Sequence, residues 1–190
     1  MIASLTWIPL LWGCNGCQML AESGILPDFH EDVSVEMSLA PNMKEGAFHG
    51  FVCDWVYVRI ENPASSLFTS CFSVDDVIPI PINHGEGKFV FHNHERMQTY
   101  SGMTIKYCNE QGDILSDYPV NPNGSALNIA GIANEKGNVL AMMPHPERAT
   151  MDCQVPVSLH HEDARKRRQG CLTQGPWKPF FKSLAEHLNV

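Results

Sequence analysis

The sequence has no apolar run of the roughly 20 residues needed to cross a bilayer. Its front stretch, Met1 to Trp12, is apolar but uncharged, so it lacks the positive segment of a secretory signal. There is no Gly-x-x-x-x-Gly-Lys loop for phosphates and no Gly-x-Gly-x-x-Gly fingerprint for a dinucleotide. Internal repeats and low-complexity tracts are also missing. Basic residues are scarce: 13 Lys and Arg stand against 21 Asp and Glu, for a formal net charge of −8. Nucleic-acid binders are usually basic, so neither nucleic acid nor membrane is expected as a partner. The 7 cysteines are odd in number and irregularly spaced. That excludes a regular disulfide scaffold and reads as free thiols in a reducing cytoplasm.

What is present suits one domain spanning residues 1–190, with 44% hydrophobic and 18% charged residues. The apolar run Leu5 to Trp12 reads as a strand that enters the turn Gly13-Cys14-Asn15-Gly16. Cys17 to Glu22 reads as a helix that Ser23-Gly24 ends. Further strands are expected at Phe51 to Glu61, Val77 to Ile82, Lys88 to Phe91, Met103 to Tyr107, Asn128 to Ile132 and Val139 to Met143. Pro79 and Pro81 confine the second of these to a sheet edge or an irregular stretch. Glu135 to Asn138 suits a hairpin turn, Asn121 to Ser125 is strong turn chemistry, and Pro176 to Leu188 suits a closing helix. The charged stretch His160 to Arg168 reads first as a solvated face, and second as a docking surface.

Two constellations carry chemistry. A cysteine on a strand-to-helix turn is exposed and sits at the positive end of a helix, which favours the reactive thiolate. Gly16 supplies the small residue that such a tight turn needs, and the N–H after the cysteine can donate to an oxyanion. The second is Pro144-His145-Pro146-Glu147. In extended backbone, residues i and i+2 point to the same side, so Glu147 can fix the tautomer of His145, leaving it free to act as a general base. Weaker candidates are Cys14-x-x-Cys17 as a redox pair or half a zinc site, and His92 with His94 on one strand face as metal ligands. Neither finds a completing ligand, so no metal is expected. His84-Gly85-Glu86-Gly87 is either a plain turn or a place where backbone approaches a ligand closely.

These residues resemble a known family. Gly13-Cys14-Asn15-Gly16-Cys17-Gln18-Met19-Leu20 is similar to the nucleophile motif of class I glutamine amidotransferases, and His145-Pro146-Glu147-Arg148 to their histidine–glutamate motif. Four stretches narrow the resemblance to the glutaminase components of phosphoribosylformylglycinamidine synthases. They are Trp55 to Arg59, His84 to Gly87, Asn121 to Ser125 and Met142 to Arg148. The middle two argue against the amidotransferases that serve GMP or carbamoyl phosphate synthesis. The resemblance runs from Gly13 to the C-terminus and is thin across Thr150 to Thr173.

The resemblance implies an α/β fold of the class I amidotransferase-like, flavodoxin-like type. Its sheet would be mostly parallel, with an antiparallel hairpin region from Phe51 to Tyr107. It implies catalytic roles for Cys14, His145 and Glu147, and glutamine-binding roles for Asn15, Gln18 and His84. Ammonia would pass to a synthetase subunit or domain, which uses ATP and Mg, while this chain carries no cofactor. Family members have further strands before the nucleophile turn and a glycine-rich loop that completes the oxyanion hole. Here 13 residues precede Cys14, and Trp12 stands where the family has glycine, so a clash is expected. Both departures lead to the expectation that residues 1–12 are not family sequence and that the front strands are missing. The alternative function is then a non-catalytic fragment that docks on the synthetase.

Overall fold

The structure is a computed structural model, and it describes residues 9–28, 34–102, 104–170 and 174–188. The strands are β1 (Leu10–Gly13), β2 (Met37–Ala40), β3 (Met43–Lys44), β4 (Ala47–Phe48), β5 (Val52–Ile60), β6 (Val77–His84), β7 (Lys88–Phe91), β8 (Ile105–Cys108), β9 (Ile129–Ala133) and β10 (Val139–Met142). The helices are α1 (Asn15–Glu22), α2 (His94–Gln98), α3 (Glu162–Arg168) and α4 (Lys178–Leu188). Six strands form the main sheet in the order β1-β10-β9-β8-β5-β6, and β2 with β7 and β3 with β4 form two small antiparallel ladders.

The fold is of the expected α/β class, but its antiparallel part is larger than Phe51 to Tyr107. Within the described sheet, β1 pairs with β10 in parallel, and the β10–β9, β9–β8, β8–β5 and β5–β6 pairs are antiparallel. Turn chemistry explains the β9–β10 hairpin. Asn134 Oδ1 accepts from Val139 N at 2.9 Å, and Gly137 takes a φ of 72° that a side chain would disfavour. Residues Leu5 to Ile8 of the expected first strand, and Met103 of the expected β8, lie outside the described residues.

The sheet is buried on both faces, as strict alternation along β10 records. Leu140 and Met142 enter a core with Val58, Ile80, Tyr107, Trp177 and Phe180, whereas Val139, Ala141 and Met143 enter a second core with Cys17, Leu20, Phe89 and Met97. Strand residues point alternately to the two faces, so a fully apolar strand needs a layer on each side. Helix α4 covers one face through Phe180, whose complete burial contributes roughly 1.5–3 kcal/mol. Helix α1 covers the other through Leu20 and Ala21.

Strand β6 is the sheet edge that its prolines require. Ile78, Ile80 and Ile82 pair with Val58, Val56 and Asp54, and they alternate with Pro79 and Pro81. The carbonyls of the second set turn away from the ladder: Pro79 O accepts from Trp177 Nε1 at 3.0 Å and Pro81 O from His145 N at 2.8 Å. Proline has no N–H to give, so it is tolerated where only the outer edge would have used one. This outer edge brings β6 to the carboxyl ends of β1 and β10.

Helix α3 holds much of the charged stretch His160 to Arg168. Arg165 and Lys166 pair with Glu162, each at 3.5 Å, while Arg167 and Arg168 donate to the carbonyls of Val155 and Val157. These cations act within the chain, which fits the first reading of that stretch. No helix among the described residues is long and apolar enough to cross a membrane.

Candidate active site

Parallel pairing fixes where the two chemical motifs emerge. Gly13 pairs with Met142, so β1 and β10 end side by side. One residue beyond Gly13 is Cys14, whose N–H donates to Met142 O at 3.1 Å; three beyond Met142 is His145. Crevices outside the carboxyl ends of parallel strands are where α/β folds bind ligands. Cys14 carries φ 51° and ψ −119°, a conformation costly for a residue with a Cβ, and α1 starts at the next residue. Strand, strained cysteine and helix form the expected turn. The half-buried thiol reaches Asn83 O and Asn15 Oδ1, both at 3.8 Å.

Trp12 does not clash. A Cβ built on Gly16 would lie 3.1 Å from Trp12 Cβ and 3.4 Å from its Cγ. The bare backbone of Gly16 therefore makes the room that the indole uses, and Trp12 packs against the second core.

The His145–Glu147 pair is present, but on different backbone from that expected. Pro146 to Ala149 coil into a single tight turn, closed by Arg148 N donating to His145 O at 3.2 Å. Across its start, His145 Nδ1 meets Glu147 Oε1 at 2.7 Å. Desolvation pushes the Glu147 carboxyl up, but the hydrogen bond from His145, bonds to backbone and the charges of His145 and Arg148 outweigh it. The net shift is downward, and Glu147 stays ionised. An imidazole whose Nδ1 proton faces the carboxylate turns Nε2 to the other side, and that atom of His145 is buried without a hydrogen-bond partner among the described residues.

Two more of the four sequence-specific stretches, His84 to Gly87 and Asn121 to Ser125, build a wall beside this centre. Asn42, fully buried, organises it. Its Nδ2 donates to Gly50 O at 2.9 Å and His84 O at 2.8 Å; its Oδ1 accepts from Gly87 N at 2.9 Å and lies 3.1 Å from His84 Nδ1. The Asn121 to Ser125 turn holds the same segment from outside. Asn123 Nδ2 and Ser125 Oγ both donate to Gly87 O, at 2.7 and 3.3 Å, and Ser125 Oγ also accepts from Phe89 N. Gln18 on α1 donates to Glu86 O and Oε2 at 3.4 and 3.3 Å. His84 through Gly87 is thus a braced platform, not a free turn. Burial, then the neighbouring His145, pushes the His84 imidazole down to about 4, so it is neutral near pH 7.

Sequence reasoning brought Cys14, Asn15, Gln18, His84, His145 and Glu147 to notice, and all six border this region. It missed Asn42, whose only local signal is a turn-like Pro41-Asn42 between short strands. The weaker candidates do not assemble. His92 lies beyond the end of β7 and His94 opens α2, so they do not share a strand face. Burial, with Cys14 nearby, pushes the Cys17 thiol far up, away from redox reactivity. No group of three or more metal-ligating side chains exists among the described residues.

A thiol on a strained turn, with a carboxylate-oriented imidazole beyond the adjoining strand end, is the equipment of a cysteine nucleophile. The comparisons with known proteins give a family for the chain. The family model of the CobB/CobQ-like glutamine amidotransferase domain matches residues 10–188. The chain is similar to phosphoribosylformylglycinamidine synthase subunit PurQ of Aquifex aeolicus, 43% identical over 141 residues, covering 73% of this chain and 55% of that one. It is 39% identical over 186 residues to the subunit of the same name from Methanothrix thermoacetophila, covering 95% of this chain and 67% of that one. Among solved structures it superposes on a chain of PurLQS from Thermotoga maritima with TM-score 0.64 and 28% identity, covering 98% of this chain and 64% of that one. The chain spans about half to two thirds of the length of these curated relatives. With residues 10–188 matched by one family model and the strained cysteine and histidine–glutamate pair set at adjoining strand ends, the chain belongs to the CobB/CobQ-like glutamine amidotransferase domain family.

Proposed function

We propose that this chain is the glutaminase component of a phosphoribosylformylglycinamidine synthase, releasing ammonia from glutamine for de novo purine biosynthesis. The observation that carries the reading is the placement of Cys14 and of the His145–Glu147 pair just beyond the paired ends of β1 and β10. The kinship with PurQ subunits supports the choice among amidotransferases.

Cys14 Sγ attacks the side-chain amide carbon of glutamine. The thiol proton passes to His145 Nε2 and on to the leaving nitrogen, so ammonia departs and a γ-glutamyl thioester remains. Water then adds to the thioester carbon, its proton returns through His145 to sulfur, and glutamate leaves. Glu147 keeps the other imidazole proton on Nδ1 throughout. The Asn15 N–H, next after the nucleophile, donates to the oxyanion, while the Asn15 and Gln18 side chains and His84 border the bound glutamine. Ammonia passes to a synthetase subunit or domain, where ATP and Mg serve the amidation; this chain needs no cofactor of its own and works in the cytoplasm.

The test is glutamate release from glutamine by the purified chain, alone and with the synthetase subunit, with Cys14→Ala as control. Release that the substitution abolishes is expected. A folded chain that releases no glutamate in either setting would overturn the reading and leave a non-catalytic member that docks on the synthetase.

A further inference from the structure

Strand β5 is paired along nearly its whole length on one side and along only part of it on the other. Its register with β6 runs from Val52 to Arg59, but its register with β8 runs from Tyr57 to Ile60. Beyond Cys108 the chain folds back on itself, with Asn109 N donating to Asp113 O at 3.0 Å. In an antiparallel ladder, successive residues turn their N–H and C=O to opposite edges. Pro79 and Pro81 spend their carbonyls on the far side from β5, so their partners Tyr57 and Trp55 turn away from β6 as well. Tyr57 meets Cys108 there, whereas Trp55 and Cys53 meet no strand. Among the described residues the Trp55 N–H finds only the neighbouring carboxylate, Asp54 Oδ1, at 2.7 Å, and the Trp55 C=O and both Cys53 backbone groups find nothing. A cavity of about 350 Å³ lies along this open edge, lined by β5 with Asn109 to Gln111 and Tyr118 to Val120. Two carboxylates line it, Asp54 and Glu110, and no Lys or Arg does. Glu110 meets Gln111 Nε2 at 2.7 Å and the exposed His160 at 3.4 Å, and neither carboxylate has a Lys or Arg partner among the described residues. This strand carries Trp55 to Arg59, the one family-like stretch that the centre leaves unused.

We propose that the open edge of β5 takes an extended segment of the synthetase subunit as an added strand, with Lys or Arg of that segment meeting Asp54 and Glu110. The inference rests on the glutaminase reading and says where the partner holds on. A strand laid along β5 brings C=O groups for the N–H of Trp55 and Cys53, and N–H groups for their C=O. Its carbonyl replaces Asp54 at the Trp55 N–H and frees that carboxylate for a cation. The centre that releases ammonia borders His84, and the slot starts at Val52, opposite His84, so a strand held there anchors the synthetase beside the centre. A second copy of this chain is a poorer occupant, because pairing β5 with β5 brings the same carboxylates together from both sides.

The experiment measures the Kd of the chain for its synthetase subunit in wild type, Cys53→Pro, Cys53→Ser and the double variant Asp54→Lys with Glu110→Lys. The Cys53 N–H takes no part in the β6 ladder, so proline there removes only a slot donor, and serine keeps it. Cys53→Pro is expected to bind about tenfold or more weakly than Cys53→Ser, the scale of one lost hydrogen bond. The charge reversal is expected to weaken binding by about tenfold or more and to flatten its salt dependence. Amide hydrogen exchange reads the mode of binding: the Cys53 N–H should exchange fast in the free chain and about tenfold or more slowly in the complex. Proline and serine variants within about threefold of each other in Kd, or a Cys53 amide equally fast in the complex, would overturn the proposal while leaving glutamate release intact. Exchange in the wild type decides the matter should Cys53→Pro not fold. Self-association of the chain alone that Cys53→Pro abolishes would give the slot to a second copy and overturn the assignment. A wild-type chain that neither binds the synthetase nor releases glutamate would instead sink the glutaminase reading, and this inference with it.

Discussion

Replacing Gly87 by alanine tests the braced platform directly. The new methyl would lie 2.3 Å from His84 Nδ1, 2.4 Å from Cε1 and 2.8 Å from Cγ, all far inside van der Waals contact. The ring is not a flexible tail that can swing away, because Nδ1 is held by Asn42 and the residue is buried. Either the ring or the Gly87 backbone must shift, and both hang on Asn42 Oδ1. Forcing an extra carbon into a packed interior costs about 1–3 kcal/mol. A buried hydrogen bond lost with it costs roughly another 1–3 kcal/mol. The expected loss of stability is therefore about 2–6 kcal/mol, read as a lowered urea midpoint at unchanged slope. Gly85 is the control two residues away: a methyl there meets only Phe51 Cδ2, at an ordinary 3.5 Å, so Gly85→Ala should stay within about 0.5 kcal/mol of wild type. Equal midpoints for Gly87→Ala and Gly85→Ala would refute the reasoning, since only contact geometry separates the two.

Three further outcomes are expected. Gly16→Ala should gain about 0.5–1 kcal/mol from helix propensity and lose more to the 3.1 Å contact with Trp12, for a net destabilisation that Trp12→Gly relieves; additive melting shifts in the double variant would contradict it. Trp177→Ala removes a fully buried indole and its bond to Pro79 O and should cost about 3–5 kcal/mol, with Trp177→Phe intermediate; a phenylalanine variant as unstable as alanine would deny the hydrogen bond any part. The folded Glu147 carboxyl is depressed, so its contribution to stability is complete above the ordinary carboxylate range and is lost as pH falls through the folded value. Glu147→Gln should remove that acid-side slope and lower glutamate release by about 10²-fold or more, measured by urea melts across pH and by turnover.

The readable parts of the molecule were local ones. Cys14 and its turn lie within a few residues of sequence, and the Pro79–Pro81 alternation marks an edge because proline lacks a donor wherever it sits. The His145–Glu147 contact was also legible, though an extended segment was expected and a tight turn delivers it. Asn42 was not legible: its partners Gly50, His84 and Gly87 lie 8, 42 and 45 residues away, and no periodicity encodes such meetings. The same distance effect hid the extent of the antiparallel ladder, since β8 and β9 are joined through a long irregular segment. The expected clash at Trp12 failed because Gly16 was weighed for turn sharpness alone and not for the space it leaves above the indole.

The outer edge of β6 has a consequence for solubility. A sheet edge ordinarily offers a row of free N–H and C=O groups on which a strand from another molecule can crystallise into fibrils. Here Pro79 and Pro81 withhold their donors, and the indole of Trp177, the backbone of His145 and the thiol of Cys14 occupy the acceptors of Pro79, Pro81 and Asn83. Two of those three stoppers are residues of the proposed catalytic centre. Selection against clumping and selection for chemistry therefore press on the same atoms. A variant that loosens the centre exposes a sticky edge at the same moment, so inactive variants and poorly soluble ones should overlap more here than chance would give.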